Sequence, residues 1–565
     1  MKIYLSRKAN KIFLIFALIS LQICTGYSAM NFSASSRYGQ GSQSGLNYRY
    51  NEHYFQFNTS YNRWDLTAEL QFTDPPEFGF SSTGFRQLTL SYFGENFTTE
   101  IGHIKAVFGN GLSLNIFEQK EIDFDNRPVG MKIHGNLTDN VEILALAGRK
   151  NEYRFYSPNS DLREPDGQSA FNIAGTELRL LSKDGIWSLN PYVVLSRFKS
   201  DIIQISMDTV TFVPVENTRV QHTSMLNSGL ATSFFGTSFD MMIEFSMMEK
   251  RFDYPLVRQS VTQGSINVTE AVTHQKGNAF YLQWNWYPDW LTVFAEYKRY
   301  QWGIEAQQDR TNLYRQASRA LPFQMGPTGL RQHDISLLAN RTHPVNYSDE
   351  VGINVDVKYS VGNWIGTVNV AKLSQTTAWN NQVSDNLFYP SSLPKYLPFT
   401  EFYFELDYSG NRLTNRFVVA FTDYTESLSI ERAENLQHIT LTPVYSSLRI
   451  GNFVFSHIFT WQQSTKISLT LTGEEIHQES PYYSKQWVSS VDWKGQWSVS
   501  AIFDVSDESG DPENWLSGEI AYRPSPRYWL RGSYGAEKGG VRCTSGVCRI
   551  ISPFEGARLS MEVRF

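Results

Sequence analysis

Four groups of residues in this 565-residue chain have types and spacings that could do chemistry. The stretch FEQKEIDFDN holds Glu118, Glu121, Asp123 and Asp125, and carboxylates at that density can gather the oxygen ligands of a calcium ion. Their spacing matches no calcium loop of that kind, and strand periodicity puts Glu121, Asp123 and Asp125 on one face, which reads equally as an acidic stripe turned to water. Cys543 and Cys548 in CTSGVC are the only cysteines after Cys24, and an even pair in an exported chain reads as a structural disulfide. Closing so short a ring gives a gain on the order of 2 kcal/mol, and no His or further Cys lies near enough in sequence to complete a four-ligand metal site. In QQDRTNLYRQASRALPF, Arg315 and Arg319 are four apart and could share one face of a short helix, with Arg310 and Arg331 adding positive charge. If that segment folds into a pore, the four arginines form a constriction favouring anions; if it stays outside, they are an ordinary solvated charge run. His103, His134 and His343 lie near Ser or Asp residues, but a catalytic triad is a spatial arrangement, and no G-x-S-x-G, H-E-x-x-H or phosphate loop stands in a supporting context. No catalytic residue, metal or cofactor is therefore assigned, and the chain is read as a non-enzyme.

The elements that must position these groups are strands. In WDLTAELQF, Trp64, Leu66, Ala68, Leu70 and Phe72 share one parity, and Asp65, Thr67, Glu69 and Gln71 the other. QWSVSAIFDV repeats the pattern with Trp497, Val499, Ala501, Phe503 and Val505. Period two over such lengths means strands with one apolar face. Aromatic residues make up 15% of the chain while the mean hydropathy is -0.35, the mixture produced when apolar and polar residues alternate. A net charge of -6 gives no argument for nucleic acid.

Compartment follows from the amino terminus. Lys2, Arg7, Lys8 and Lys11 precede the apolar run IFLIFALISL, and Gly26, Ser28 and Ala29 follow, the three-part layout of a secretory signal peptide over 1–29. Lipidation at Cys24 is disfavoured by Ile23 before it, where a small residue is needed. Beyond the leader no stretch approaches the roughly 18 apolar residues of a membrane helix. A membrane crossing must then be made by strands, as one barrel over 30–565.

Joints between the strands carry the topology. Short turn-like links rich in Gly, Asn, Asp and Pro fall at Asn62, Phe93, Gly135, Ser182, Phe234, Tyr287, Ser360, Ser409, Leu448, Lys494 and Arg523. Long polar segments alternate with them, from Asn151, from Ser200 to Val220, and from Gly303 to Val345. Short on one side and long on the other is the layout of an outer-membrane, up-and-down antiparallel β-barrel. Eleven short turns imply about 24 strands (range 20 to 26) when both termini lie in the periplasm. Amphipathic strands begin by about Leu46, which leaves no room for an amino-terminal plug domain, so any plug is expected from a loop or another protein. The chain closes on ARLSMEVRF, with Leu559, Met561, Val563 and Phe565 on one parity and Arg558, Ser560, Glu562 and Arg564 on the other. A last strand of that kind seals a barrel, since a sheet in lipid cannot leave an unpaired edge.

That final strand resembles the carboxy-terminal sorting signal read by the outer-membrane barrel assembly machinery. More specifically, FGENFTTEIGHIKAVFGNGLSLNIFEQKEIDFDNRPVGMKIHG (93–135), RQHDISLLANRTHPVNYSDEVG from Arg331, and GGVRCTSGVCRIISPFEGARLSMEVRF (539–565) resemble large outer-membrane β-barrel proteins of Bacteroidota-type bacteria known only as a domain of unknown function. The resemblance implies a fold and an address, the cell outer membrane, and no activity. The expected function is a porin-like channel or passive transporter for an unidentified solute. The alternative is a sealed barrel serving an unidentified envelope protein partner in a secretion or surface-assembly complex, and an outer-membrane enzyme acting on lipid or peptide ranks third.

Overall fold

Alternating side chains and turn-forming links build one antiparallel sheet that curls until its ends meet. A computed structural model describes residues 29–565 except 44, 78–80, 121–123, 156–166, 208–213, 263–264, 305–317, 340–342, 380, 382–383, 429–431, 471–472, 545–546 and 552. The sheet runs β1 (Ala29–Gln43), β2 (Leu46–Tyr61), β3 (Trp64–Thr73), β4 (Ser82–Phe93), β5 (Phe97–His103), β6 (Val129–Thr138), β7 (Val141–Phe155) and β8 (Gly167–Leu181). Next come β9 (Trp187–Met207), β10 (Pro214–Phe235), β11 (Phe239–Thr262), β12 (Ser265–Trp286), β13 (Leu291–Gln301), β14 (Asp349–Val361), β15 (Trp364–Ser374) and β16 (Phe399–Ser409). It ends with β17 (Leu413–Ser427), β18 (Arg432–Ile450), β19 (Phe453–Thr470), β20 (Tyr482–Trp493), β21 (Trp497–Ser506), β22 (Glu513–Ser525), β23 (Tyr528–Glu537) and β24 (Phe554–Arg564). These 24 strands close into a barrel, and one further short strand, Glu475–Gln478, pairs only with β19.

Closure is made by β24 on β1, in register from Ser33 opposite Arg564 to Gln43 opposite Phe554. The last residue takes part: Phe565 donates its N–H to Phe32 O at 2.7 Å, and Phe32 donates back at 3.2 Å. Leu559 and Met561 are exposed on the outer face of β24 and Arg558 turns inward onto Glu77, so the parity of ARLSMEVRF is realised. Strand β1 is the element that the apolar pattern leaves out. Its SASSRYGQGSQ carries no greasy parity, and its strand character comes from being held between β2 and β24.

All eleven short links join neighbours at one end of the barrel. Asn62, Gly185, Gly362, Gly451, Lys494 and Gly495 take left-handed φ values between 53° and 70° there, as tight hairpins demand. Just inside these turns the outer face carries exposed Trp64, Trp187, Trp290, Trp364 and Trp493, packed on neighbouring rings such as Trp64 on Tyr92 at 4.7 Å and Trp364 on Tyr408 at 4.9 Å. Above this girdle the outward residues stay apolar for about nine positions per strand, as in Phe239, Met241, Ile243, Phe245 and Met247 of β11, before charge begins at Glu249. Nine to eleven residues is what a tilted strand needs to cross a bilayer.

At the other end the connections behave differently. The described residues of 104–128, between β5 and β6, and of 302–348, between β13 and β14, turn into the lumen. The described residues of 375–398 fold over the outer wall, where Asp349 of β14 accepts hydrogen bonds from Thr376 and Thr377, and Tyr297 of β13 donates to Phe388 O at 2.7 Å.

Candidate functional site

The lumen is where chemistry can happen, and two inward segments occupy much of it. The first is held at its tip. In FGNGLS, Gly109 and Gly111 take φ of 53° and 91°, and a Cβ on Gly109 would sit 2.7 Å from the Glu244 carboxylate. Only glycine combines that backbone with so close an approach. Glu177 of β8 accepts the Gly109 N–H at 2.6 Å, and Glu244 of β11 accepts the Asn110 N–H and, at 2.5 Å, the Tyr192 hydroxyl. Ser113 donates to Asn227 Oδ1 at 3.0 Å and meets Ser246 at 2.6 Å. These polar groups of the tip thus enter the low-dielectric interior with wall partners, and the Gly111 N–H is met within the segment by Phe108 O at 2.8 Å.

The second segment crosses the lumen. Near β8, Phe323 stacks on Phe171 at 5.2 Å, and Asn126 of the first segment donates to Asn115 O and Pro322 O at 2.8 and 3.0 Å while accepting from Phe117 N–H at 2.7 Å. Asn115 in turn donates to Met325 O at 2.9 Å. The two segments thus fold on each other. With inward residues of β7–β13 such as Ile173, Val194, Met225 and Tyr281 they form an apolar core inside the barrel, around Phe108, Leu112, Leu114 and Trp302.

Farther along, the crossing segment is tied by charge. Lys250 donates to Ser318 O at 3.0 Å, and buried Lys298 pairs with buried Glu350 at 2.5 Å, Glu350 also meeting His343 at 2.8 Å. Arg331 reaches Asp356 of β14 at 2.7 Å and Glu405 of β16 at 3.5 Å, lying over the Tyr403 ring at 4.5 Å. His333 meets Glu401 at 3.0 Å, and Asp334 meets Arg416 of β17 at 2.6 Å. A single helical turn, Ser336–Ala339, then rests Leu338 against Val418 and Ala420, and Gln462 of β19 donates to Leu337 O at 3.3 Å. The crossbar therefore spans from β8 to β19, and on its short-turn side a cavity of about 490 Å³ is lined by Glu296, Asn354, Asp356, Asn369 and Arg331.

The residues singled out in the sequence fall as follows. Arg331 sits in the lumen with its charge matched by two carboxylates, and Arg319 is half-buried with its carbonyl on Lys250. Arg310 and Arg315 lie outside the described residues, as do Glu121 and Asp123. Glu118 and Asp125 are engaged by Arg86, Arg127 and Lys150, and among the described residues no cluster of three or more His, Cys, Asp or Glu could hold a metal. Burial pushes the Asp125 carboxyl up, but Lys150 and Arg127 outweigh it and hold it down at about 2. The side chains of Cys543 and Cys548 lie outside the described residues. Their backbones stand directly opposite each other in the ribbon Gly540–Thr544 with Val547–Ile551, whose first strand lies against the Ser336–Ala339 turn. His343 is a crossbar anchor, His103 touches the β4 backbone, and His134 faces Glu142 at 3.9 Å. The wall anchors Glu177, Glu244, Lys298 and Glu350 were not singled out from sequence. Glu244 and Glu350 did carry a signal, an ionisable residue at an inward position with no opposite charge two residues away on the same strand, whereas Glu177 and Lys298 sit beside Arg179 and Glu296 and read as ordinary pairs.

The chain belongs to the family of unknown function DUF6029, whose model matches residues 28–565. No curated protein matches the sequence. Similar solved structures include a mutant of the ferric enterobactin receptor PfeA from Pseudomonas aeruginosa, at 10% identity over 95% of this chain and 80% of that one, with a TM-score of 0.46. The copper transporter OprC is similar at 9% identity over 96% and 81%, TM-score 0.45. The P pilus usher PapC translocation pore is similar at 9% identity over 95% and 99%, TM-score 0.41.

Proposed function

We propose that this chain is exported by its signal peptide, spans the outer membrane of a Bacteroidota-type bacterium as a barrel, and passes a small polar solute along a route controlled by the crossbar. The membrane part of the reading is supported by the apolar outer band and the aromatic girdle beside the short turns. The observation that carries the transport part is the unequal way the lumen is filled. On the β7–β13 side the inward loops share a dry apolar core with the wall. Facing β20–β24 and β1–β3 the inward residues are mostly polar, including Gln486, Asp504, Ser517, Glu519, Ser560 and Gln56; Tyr50 and Phe554 touch there at 6.2 Å, but no larger apolar cluster forms among the described residues. Breaking an apolar core costs more than exchanging hydrogen bonds with water, so a route opens on the polar side.

Proteoliposomes test this. With Cys543 and Cys548 replaced by serine, cysteines at positions 333 and 401, whose native side-chain tips meet at 3.0 Å, would be bridged by a short bis-methanethiosulfonate that clamps the crossbar to β16. Uptake of small sugars and ions should fall when the bridge is formed and return when it is reduced. Uptake indifferent to the clamp would exclude crossbar control, and no uptake in either state would favour the sealed barrel, a structural or binding partner of another envelope protein.

A further inference from the structure

Immediately beyond the apolar band, the outer face of β7–β12 changes character. On β9 the outward series Trp187, Leu189, Pro191, Val193 and Leu195 gives way to exposed Arg197 and Lys199. Register aligns these positions across strands. Arg149 stands opposite Asn172, Asn172 opposite Arg197, Arg197 opposite Ser224 and Ser224 opposite Arg251. Three exposed arginines therefore share one row, each two strands from the next, or roughly 10 Å apart at ordinary strand spacing. Lys276 of β12 is exposed nearby. Arg149, Arg197, Lys199 and Lys276 make no ion pair among the described residues, while Arg251 pairs with Glu249 at 3.1 Å, and Asp253 and, by its register opposite exposed Val220, Asp201 are further acids on this face. Across the barrel the outward positions at this height mix signs, Lys485 on β20 and Lys372 on β15 standing among Asp423 on β17, Glu555 on β24 and Asp507 just past β21. The aligned row of arginines is thus a feature of one side.

We propose that this basic row binds the phosphate groups of a phosphorylated glycolipid in the adjoining leaflet, a reading that rests on the membrane placement above. A guanidinium matches a phosphate with two parallel charge-assisted hydrogen bonds, and a row of them suits a headgroup bearing more than one phosphate. Location argues for lipid over free phosphate, because the row begins where the apolar band ends and a lipid there can use both. The occupant's acyl chains would lie on Leu195, Leu226 and Met247, all exposed.

The test uses the full mature barrel in detergent, with bisphosphorylated lipid A, its dephosphorylated form and inorganic phosphate as probes, read by native mass spectrometry. Arg149→Gln/Arg197→Gln/Arg251→Gln should weaken lipid A binding about tenfold or more and leave the dephosphorylated form unaffected. Wild-type binding of lipid A should also fall with added salt, a readout that needs no variant. Equal binding by the triple variant, or no preference for the phosphorylated lipid, overturns the proposal, and so does inorganic phosphate displacing lipid A at equal concentration. Heat-modifiable mobility of the same sample separates the two readings: a wild type lacking it overturns the membrane barrel itself, whereas one that has it but ignores lipid A overturns only the lipid site.

Discussion

Replacing Arg331 by methionine removes one cation from the middle of the crossbar while keeping its length. Asp356, at 2.7 Å, and Glu405, at 3.5 Å and 7% exposed, then face each other's field without it. Stripping one partner from a fully buried pair costs about 3–5 kcal/mol, and since this guanidinium is 20% exposed the cost falls to roughly 1–3 kcal/mol. The lost stacking on Tyr403 adds about 0.5–2 kcal/mol. Arg416, 3.9 Å from Glu405, offsets part of the deficit, leaving roughly 2–3 kcal/mol against the docked crossbar. At about 1.4 kcal/mol per decade, the undocked population rises roughly 30- to 140-fold. The barrel ladder itself is untouched, so heat-modifiable mobility should be unchanged. In planar bilayers the variant should show brief openings that are rare in wild type, and their frequency should rise by that factor. A variant whose recordings match wild type would refute the reasoning, because the ion pairs would then hold nothing that moves.

Three further outcomes are expected. Asn126→Ala leaves the Phe117 N–H without its buried acceptor and two carbonyls without a donor, about 1–3 kcal/mol for each orphaned group; amide exchange in 104–128 should quicken while the wall strands stay protected, and uniform protection would sink the idea. Asp125 is held at about 2, so its contribution is fully present above the ordinary carboxylate range near 3.9 and is lost as pH falls through about 2, an effect of about 2 kcal/mol. Pepsin cleavage within 104–128 should therefore increase between about pH 4 and pH 2 in wild type and lose that dependence in Asp125→Asn; identical profiles would contradict it. Thiol titration of the denatured mature chain should find no free cysteine before reduction and two after, given the direct Cys543–Cys548 register, and two thiols from the start would exclude the disulfide.

Legibility in the sequence followed how local the signal was. Every short turn could be placed because hairpins write themselves in Asn, Gly and Lys-Gly pairs, and the number of turns sets the number of strands. Strand β1 escaped notice because Gly39 has no side chain to show parity: the Tyr50 ring lies across it, within 2.0 Å of where a Cβ would be, so the apolar mass belongs to the neighbouring strand. Inward folding of 104–128 was invisible for a different reason. Ile104, Ala106, Phe108, Leu112, Leu114 and Ile116 share one parity, which reads as one more wall strand, and the carboxylates that hold their tip lie 68 and 134 residues downstream in Glu177 and Glu244. Arg331 was flagged for its charge, but its partners at 356 and 405 could be assigned only once the barrel brought β14 and β16 beside it.

The central claim is that the chain's own crossbar limits passage through a membrane-spanning barrel. The most direct measurement is single-channel conductance of wild type beside a variant in which 303–345 is replaced by a short Gly/Ser linker. The account predicts a small or intermittent wild-type conductance and a larger, steady one in the shortened chain, with heat-modifiable mobility kept in both. Unchanged conductance in a correctly folded shortened chain would contradict it.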